Sequence, residues 1–360
     1  MKNKKLTVID LFSGCGGLSK GFLDAGYDIL LGVDHDKDSL KTFKLNHKDS
    51  KVLELDLFDK SNIKEIKKAL MGVSPDVIVG GPPCQGFSLT GTRNFDDKRN
   101  QLYLSMIETV KELKPRAFLI ENVPGIARLY EGAIKNEIIS RFTKLGYTVS
   151  MQILTAADYG VPQIRKRLVF IGLKNEKFSF PEPMLKPENY VTTSEAIGDL
   201  PSRKNEFGKE EDSYSKEPIS IFQKKMRGRQ NTLFNHVASN HTDLVKSIIS
   251  QVPEGGNHKD LPTGVGSNRH FNEAWTRYHS QKPSRTIDTG HRNHFHYEYD
   301  RVPTVRENAR LQSFPDNFIF VGTRTSQNRQ VGNAVPPLMG FAIAKHLLKY
   351  LKHEKKTKNN

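Results

Sequence analysis

The chain is poor in cysteine, in tryptophan and in uninterrupted apolar sequence. Its 360 residues hold two cysteines, Cys15 and Cys84, and one tryptophan. Two thiols build neither a disulfide framework nor, by themselves, a zinc site, so no metal is expected, and they suit a reducing cytosol. No run of roughly 18 apolar residues occurs, so no membrane span is expected. Met1–Lys5 is charged, but Asp10 cuts short the apolar residues that follow, which argues against a signal peptide. Acids are also scarce: 40 Asp and Glu stand against 55 Lys and Arg, a net charge of +15. That balance suggests a polyanionic partner, nucleic acid first; the plainer reading is a surface of solvated lysines.

The length exceeds the usual single-domain range, so two domains are the default. Residues 6–172 alternate strand-like apolar runs with helical patterns. The expected strands are Thr7–Phe12, Ile29–Val33, Lys51–Leu55, Asp76–Gly80, Ala117–Glu121, Thr148–Leu154 and Leu168–Gly172. Helices are expected over Leu18–Ala25, Ser39–Asn46, Ile63–Met71, Leu102–Leu113 and Ile134–Leu145. Such alternation predicts an α/β fold with a doubly wound, mainly parallel sheet. Residues 175–300 lose this regularity and become rich in Pro, Asn, His, Lys and Arg, as in the run Gln223–Arg229, which reads as an exposed basic loop. The expected organisation is a catalytic and cofactor domain at 1–174, a smaller irregular domain at 175–300, and a returning segment at 301–351 that closes on a helix, Leu338–Leu351. Residues 352–360 read as a frayed tail, and Arg324-Thr325-Ser326 as a nucleic-acid contact or equally just a loop.

Val8–Phe22 reads as a strand, a glycine turn and a helix. Gly14, Gly16 and Gly17 let the backbone turn tightly and approach a ligand. Asp34 lies about 20 residues on, at a strand end where an acid can bind ribose hydroxyls, and Asp56 ends the third strand. Turn and acids together point to an adenosine-bearing cofactor; the alternative is that the acids are helix caps. A dinucleotide also fits, but Ser19 stands where the third glycine of that fingerprint belongs.

Gly80–Ser88, GGPPCQGFS, follows the fourth strand. Two prolines stiffen the approach, and flanking glycines permit close contact with a substrate. Cys84 therefore reads as a nucleophile, since a thiolate attacks strongly even when only partly ionised. Cys15, inside the glycine turn, reads as packing beside the cofactor.

Six segments in order now carry a resemblance: Asp10–Gly17, Gly80–Ser88, Glu121-Asn122-Val123, Gln163–Arg167, Arg306–Phe318 and Gln330–Pro337. Together they resemble the bacterial-type DNA cytosine-5 methyltransferases, over nearly the whole chain, and the modification enzymes of type II restriction-modification systems in particular. The resemblance implies a Rossmann-like fold that binds S-adenosylmethionine and a target-recognition domain in the irregular stretch. It implies methyl transfer to carbon 5 of a cytosine flipped out of double-stranded DNA, through a Cys84 adduct at carbon 6. The alternative is a cytosine-5 methyltransferase acting on RNA.

By resemblance Glu121 contacts ring nitrogen 3 and the exocyclic amino group, and Arg165 and Arg167, alternating along a strand, hold the cytosine carbonyl, Glu121 or a phosphate. Phe12, Pro82, Asn333 and Val335 join Gly14, Gly16, Gly17, Asp34 and Asp56 at the cofactor. Ser88, Gln85, Arg285, Arg292 and Asn293 are the expected DNA contacts, within a basic and aromatic set that includes Arg277, Tyr278, His294 and Phe295. A monomer is expected in the bacterial cytoplasm, at the nucleoid through its DNA, with a cognate restriction endonuclease linked to it functionally.

Overall fold

The computed structural model describes residues 5–83, 102–265, 275–290 and 292–357. The chain divides into two compact units. The first comprises Met1–Thr155, Lys166–Pro183 and Pro337–Asn360; the second comprises Ala156–Arg165 and Met184–Pro336. The change of texture read at Lys174 falls inside the first unit.

The first unit is built on a seven-stranded sheet: β1 (Thr7–Leu11), β2 (Asp28–Asp34), β3 (Lys51–Glu54), β4 (Val77–Gly80), β5 (Ala117–Asn122), β6 (Thr148–Thr155) and β7 (Lys166–Leu173). Their order is β3-β2-β1-β4-β5-β7-β6. The first five strands pair in parallel, and β7 is antiparallel to both of its neighbours. Each expected strand is present within two residues of its expected ends. A parallel sheet covered on both faces needs apolar residues on both, so its strands read as continuous runs. Every residue of β4 and β5 is accordingly buried.

On one face Ile9, Leu11, Ile78, Phe118 and Ile120 meet α3 (Ile63–Leu70), α4 (Leu102–Leu113) and α5 (Ala133–Lys144). Ile134, Ile138 and Phe142 recur every four residues and so share one face of α5. Phe142 stacks on Phe118 with ring centroids 3.8 Å apart. On the other face α1 (Gly17–Asp24) packs with α11 (Pro337–Thr357), and the Tyr27 hydroxyl donates to the Ala344 carbonyl at 3.2 Å. Also on that face, Phe43 of α2 (Lys37–Asn46) lies over Gly32, where a Cβ would come within 2.6 Å of its ring.

The second unit has little sheet. β8 (Glu211–Ser213) pairs antiparallel with β9 (Thr232–Phe234), and β10 (Thr276–Arg277) pairs parallel with β11 (His294–Phe295). Its helices are α6 (Thr193–Ile197), α7 (Ile221–Arg227), α8 (Asp243–Gln251), α9 (Val305–Leu311) and α10 (Arg324–Asn333). Two expectations are corrected here. Most of the basic run Gln223–Arg229 lies in α7, started by a reciprocal cap between Ser220 and Gln223. Arg324-Thr325-Ser326 is the first turn of α10, capped by Thr323. Among the described residues no helix is long and apolar enough to cross a membrane.

Candidate active site

Ligands on an open α/β sheet bind beyond the carboxyl ends of the strands, where strand order reverses. In the first unit that point lies between β1 and β4. Five segments end there: the glycine turn after β1, Asp34 at the end of β2, Asp56 beyond β3, Gly81-Pro82-Pro83 after β4, and Glu121-Asn122 at the end of β5.

The turn after β1 is left-handed at Phe12, Gly14 and Gly16, with φ of 58°, 52° and 93°. Gly16 has no room for a side chain, since a Cβ would lie 2.5 Å from His47 Nε2; Gly14 faces open space. Asp34 binds this turn from the side. Its Oδ2 accepts from the Gly14 N–H at 2.8 Å and its Oδ1 from the Asp36 N–H at 2.9 Å. Asp56 is exposed, two residues beyond β3, and its Oδ1 accepts from the Phe58 N–H at 3.0 Å. Cys15 is buried, and burial pushes its thiol up to about 12, which makes it a poor nucleophile.

After β4 the backbone passes the end of β5. A Cβ on Gly81 would stand 3.1 Å from Glu121 Oε2. Glu121 is 9% exposed, and its Oε1 accepts from Arg167 Nε at 2.8 Å. Burial lowers the pKa of the Arg167 guanidinium and the Glu121 charge opposes that fall. Asn122 donates from Nδ2 to the Pro82 carbonyl at 2.8 Å, tying the start of the next loop to β5. Cys84, Gln85 and Ser88 lie outside the described residues.

Arg165 and Arg167 do not share a strand face. β7 begins at Lys166, so strand alternation does not reach Arg165. Arg165 belongs to the second unit, where its buried guanidinium donates to the carbonyls of Ile287, Gly332 and Ala334 at 3.2, 2.8 and 3.2 Å. Gln163 accompanies it, donating to Leu311 O and Gln312 Oε1. Asn333, exposed, and Val335, buried, also lie in the second unit.

Of the expected DNA contacts, Arg285 and Arg292 are exposed. Asn293 is half-buried and donates to Asp288 Oδ2 at 2.6 Å. Arg277, Tyr278, His294 and Phe295 are buried and pack the unit instead of presenting a surface. Arg277 donates to the carbonyls of Ile249, Val252 and His296. Asp10 opens the first of the six segments that carry the resemblance, with no role of its own read for it. It is 1% exposed and accepts from Ser19 Oγ at 2.6 Å. The signal was an acid inside an apolar strand. Among the described residues no three His, Cys, Asp or Glu gather closely enough to hold a metal.

The arrangement offers a turn shaped for a small ligand and, beside it, a buried acid held by an arginine next to a stiff loop. Residues 6–349 match the family model for C-5 cytosine-specific DNA methylases. The type II methyltransferase M1.HphI of Haemophilus parahaemolyticus is 40% identical over 348 residues, covering 96% of this chain and 87% of that protein. M.DdeI of Desulfomicrobium norvegicum, also a type II methyltransferase, is 36% identical, covering 97% and 90%. The crystal structure of a DNA modification methyltransferase encoded within an E. coli prophage superposes with a TM-score of 0.81 at 31% identity, covering 97% of this chain and all of that one. The S. pombe Dnmt2 methyltransferase, 16% identical with a TM-score of 0.60, shares the fold. With its mainly parallel sheet and strand-end acids, and matched by that model over nearly its whole length, the chain belongs to the C-5 cytosine-specific DNA methylase family and stands among its type II modification enzymes.

Proposed function

We propose that this DNA cytosine-5 methyltransferase works through a covalent adduct between Cys84 and carbon 6 of a cytosine flipped out of duplex DNA. The observation that carries this reading is the approach of the Gly81 backbone to Glu121, which starts the Cys84 loop beside a buried carboxylate. Carbon 5 of cytosine is a poor nucleophile while the ring is aromatic. Addition of the Cys84 thiolate to carbon 6 gives an enamine whose carbon 5 is nucleophilic. Glu121 faces ring nitrogen 3 and the amino group and moves a proton at nitrogen 3 as negative charge builds. Arg167 holds Glu121 in place. After carbon 5 is methylated it loses its proton, the sulfur leaves, and the ring is restored.

The methyl donor is S-adenosylmethionine. The residues fit it: Gly14 faces open space, and Ser13 Oγ is buried with no hydrogen-bond partner among the described residues. Phe12, Gly14, Gly16, Gly17, Asp34, Asp56 and Pro82 of the first unit would hold it. When bound, it supplies an electrophilic methyl group to carbon 5.

The irregular stretch 175–300 recognises the target, with exposed Arg285 and Arg292 and half-buried Asn293 as its contacts, and Gln85 and Ser88 are further DNA contacts. Arg165 ties the second unit together through the carbonyls of Ile287, Gly332 and Ala334. The enzyme acts as a monomer in the bacterial cytoplasm, at the nucleoid, and its product shields host DNA from a cognate endonuclease. The family description names DNA, against the alternative of RNA.

Bisulfite sequencing of DNA from cells expressing the chain should show 5-methylcytosine at one short site, and Cys84→Ala should remove it. A duplex carrying 5-fluorocytosine at that site should trap an adduct on Cys84. Full methylation by Cys84→Ala, or an adduct mapped to Cys15, would refute the mechanism.

A further inference from the structure

We infer that the outer edge of β3, overhung by α2, is a docking site for an extended acidic segment of a partner protein, which joins the sheet beside β3.

β3 stands at the end of the sheet order, so among the described residues no strand pairs with its outer side. The Leu55 N–H donates to the Asp34 carbonyl at 2.9 Å and so points inward, to β2. Peptide groups alternate in direction along a strand, so those of Val52 and Glu54 point outward. Side chains alternate between the two faces as well. Leu53 and Leu55 pack against the core on one face. Val52 and Glu54 take the other, under α2, where Lys37 Nζ stands 3.5 Å from Glu54 Oε1.

Along this edge runs a groove of about 820 Å³, lined from above by Lys37, Leu40, Lys41, Lys44 and Leu45 of α2 and by Lys48 just past it. Steps of three and four residues put them on one helix face. Leu40, Leu45 and Val52 make an apolar floor, and Leu45 is 41% exposed. The four lysines face one lining acid, Glu54, with Asp38 3.7 Å from Lys41. Lys44 is fixed, donating to the carbonyls of Lys48 and Ser50.

This lining selects the occupant. An extended segment offers peptide groups to Val52 and Glu54, apolar side chains to the floor and carboxylates to the lysines. The ten residues of α2 cover about 15 Å, the length of about five residues of strand. A second copy of this edge would set lysine against lysine. Duplex DNA would satisfy the lysines but neither the apolar floor nor the open strand edge. Lysines that only guard an edge against aggregation stand on the strand, as Lys51 does, whereas these stand on the helix above it.

The test uses the full chain and a labelled peptide of about eight residues in which glutamate and valine alternate, long enough to span the groove. A lysine–valine peptide and a backbone N-methylated glutamate–valine peptide are the controls. Fluorescence anisotropy should show the acidic peptide binding about tenfold more tightly than the basic one, the scale of several exposed ion pairs together. N-methylation should abolish binding. Amide exchange at Val52 and Glu54 should slow on binding, while that of Leu53, which already pairs with β2, stays unchanged. Lys41→Glu combined with Lys48→Glu should erase the preference with an unchanged thermal midpoint, because both side chains are exposed. No binding of the acidic peptide, equal binding of acidic and basic peptides, or unaltered exchange at Val52 and Glu54 would overturn the inference. Displacement of the peptide by duplex DNA would assign the lysines to DNA, and a dimer lost in the double variant would assign the edge to a second copy; either result overturns it too.

Discussion

A carboxylate facing an open strand end behaves according to what holds its oxygens. Glu121 has one oxygen on Arg167 and the other toward Gly81, so a single group is both fixed and left facing the loop that leads to Cys84. Glu121→Gln keeps the shape and removes the transferable proton. Methyl transfer should slow by about 10²–10⁴-fold, the contribution usual for a positioned acid or base, with donor affinity unchanged. Single-turnover methylation beside donor titration checks this, and a variant slowed less than about tenfold would remove Glu121 from proton transfer. Glu121 was legible through the Glu121-Asn122-Val123 segment and the family resemblance it helps carry, because a strand-end acid alone reads as a cap or a surface group. Arg277 was not. Its partners are carbonyls near residues 249, 252 and 296, which meet only in the folded unit, so a buried organiser and an exposed DNA contact look alike in sequence.

At the scale of elements, the first unit was legible and the second was not, for a physical reason. Strands of a covered parallel sheet announce themselves as apolar runs, and their helices as patterns of four. The second unit uses short helices whose order comes from caps and buried charges. The cap pairs Thr192 with Glu195, Ser220 with Gln223, and Thr304 with Glu307 stand in plain view at the right spacing, without the apolar periodicity that would draw attention to them. Arg310 of α9 shows the rest. It is fully buried, donating to Asp199 beyond α6 and to Asp316, with Nη2 2.7 Å from Asp316 Oδ2. Arg310→Met would leave the buried Asp199 without its cation and Asp316 with only Arg306, whose Nη1 lies 3.9 Å away. It should destabilise the second unit by about 3–5 kcal/mol in denaturant titration, and a change below about 1 kcal/mol would contradict the role given to the cluster.

Across the whole molecule, the two units should answer acid differently. In the second, burial lowers His236 to about 4 and His296 to about 3. Folded values below the ordinary 6.5 mean that folding favours the neutral rings. Their contribution is complete above about pH 6.5 and is lost as pH falls toward 4. Burial alone would raise the nearby Glu307 carboxyl, but Arg301 brings it well below its usual range, so its contribution too is lost in acid. In the first unit His47 follows the same rule, while Asp10 opposes it, because an acid raised to about 7 loses stability as pH climbs from about 4 to 7. Hydrogen exchange at pH 7 and pH 4.5 should therefore show protection lost preferentially from the second unit, and equal losses in both would contradict the assignment.

Along the chain the second unit comes in two pieces of very unequal length. The ten residues between β6 and β7 belong with residues 184–336, because Gln163 and Arg165 find their partners at 287, 311, 312, 332 and 334. On the recognition role proposed for the irregular stretch, exchanging target choice between relatives calls for both pieces as one cassette. A transplant of the long piece alone asks Gln163 and Arg165 to find the same backbone carbonyls on a foreign chain, so the short piece is as much part of the folded unit as the long one.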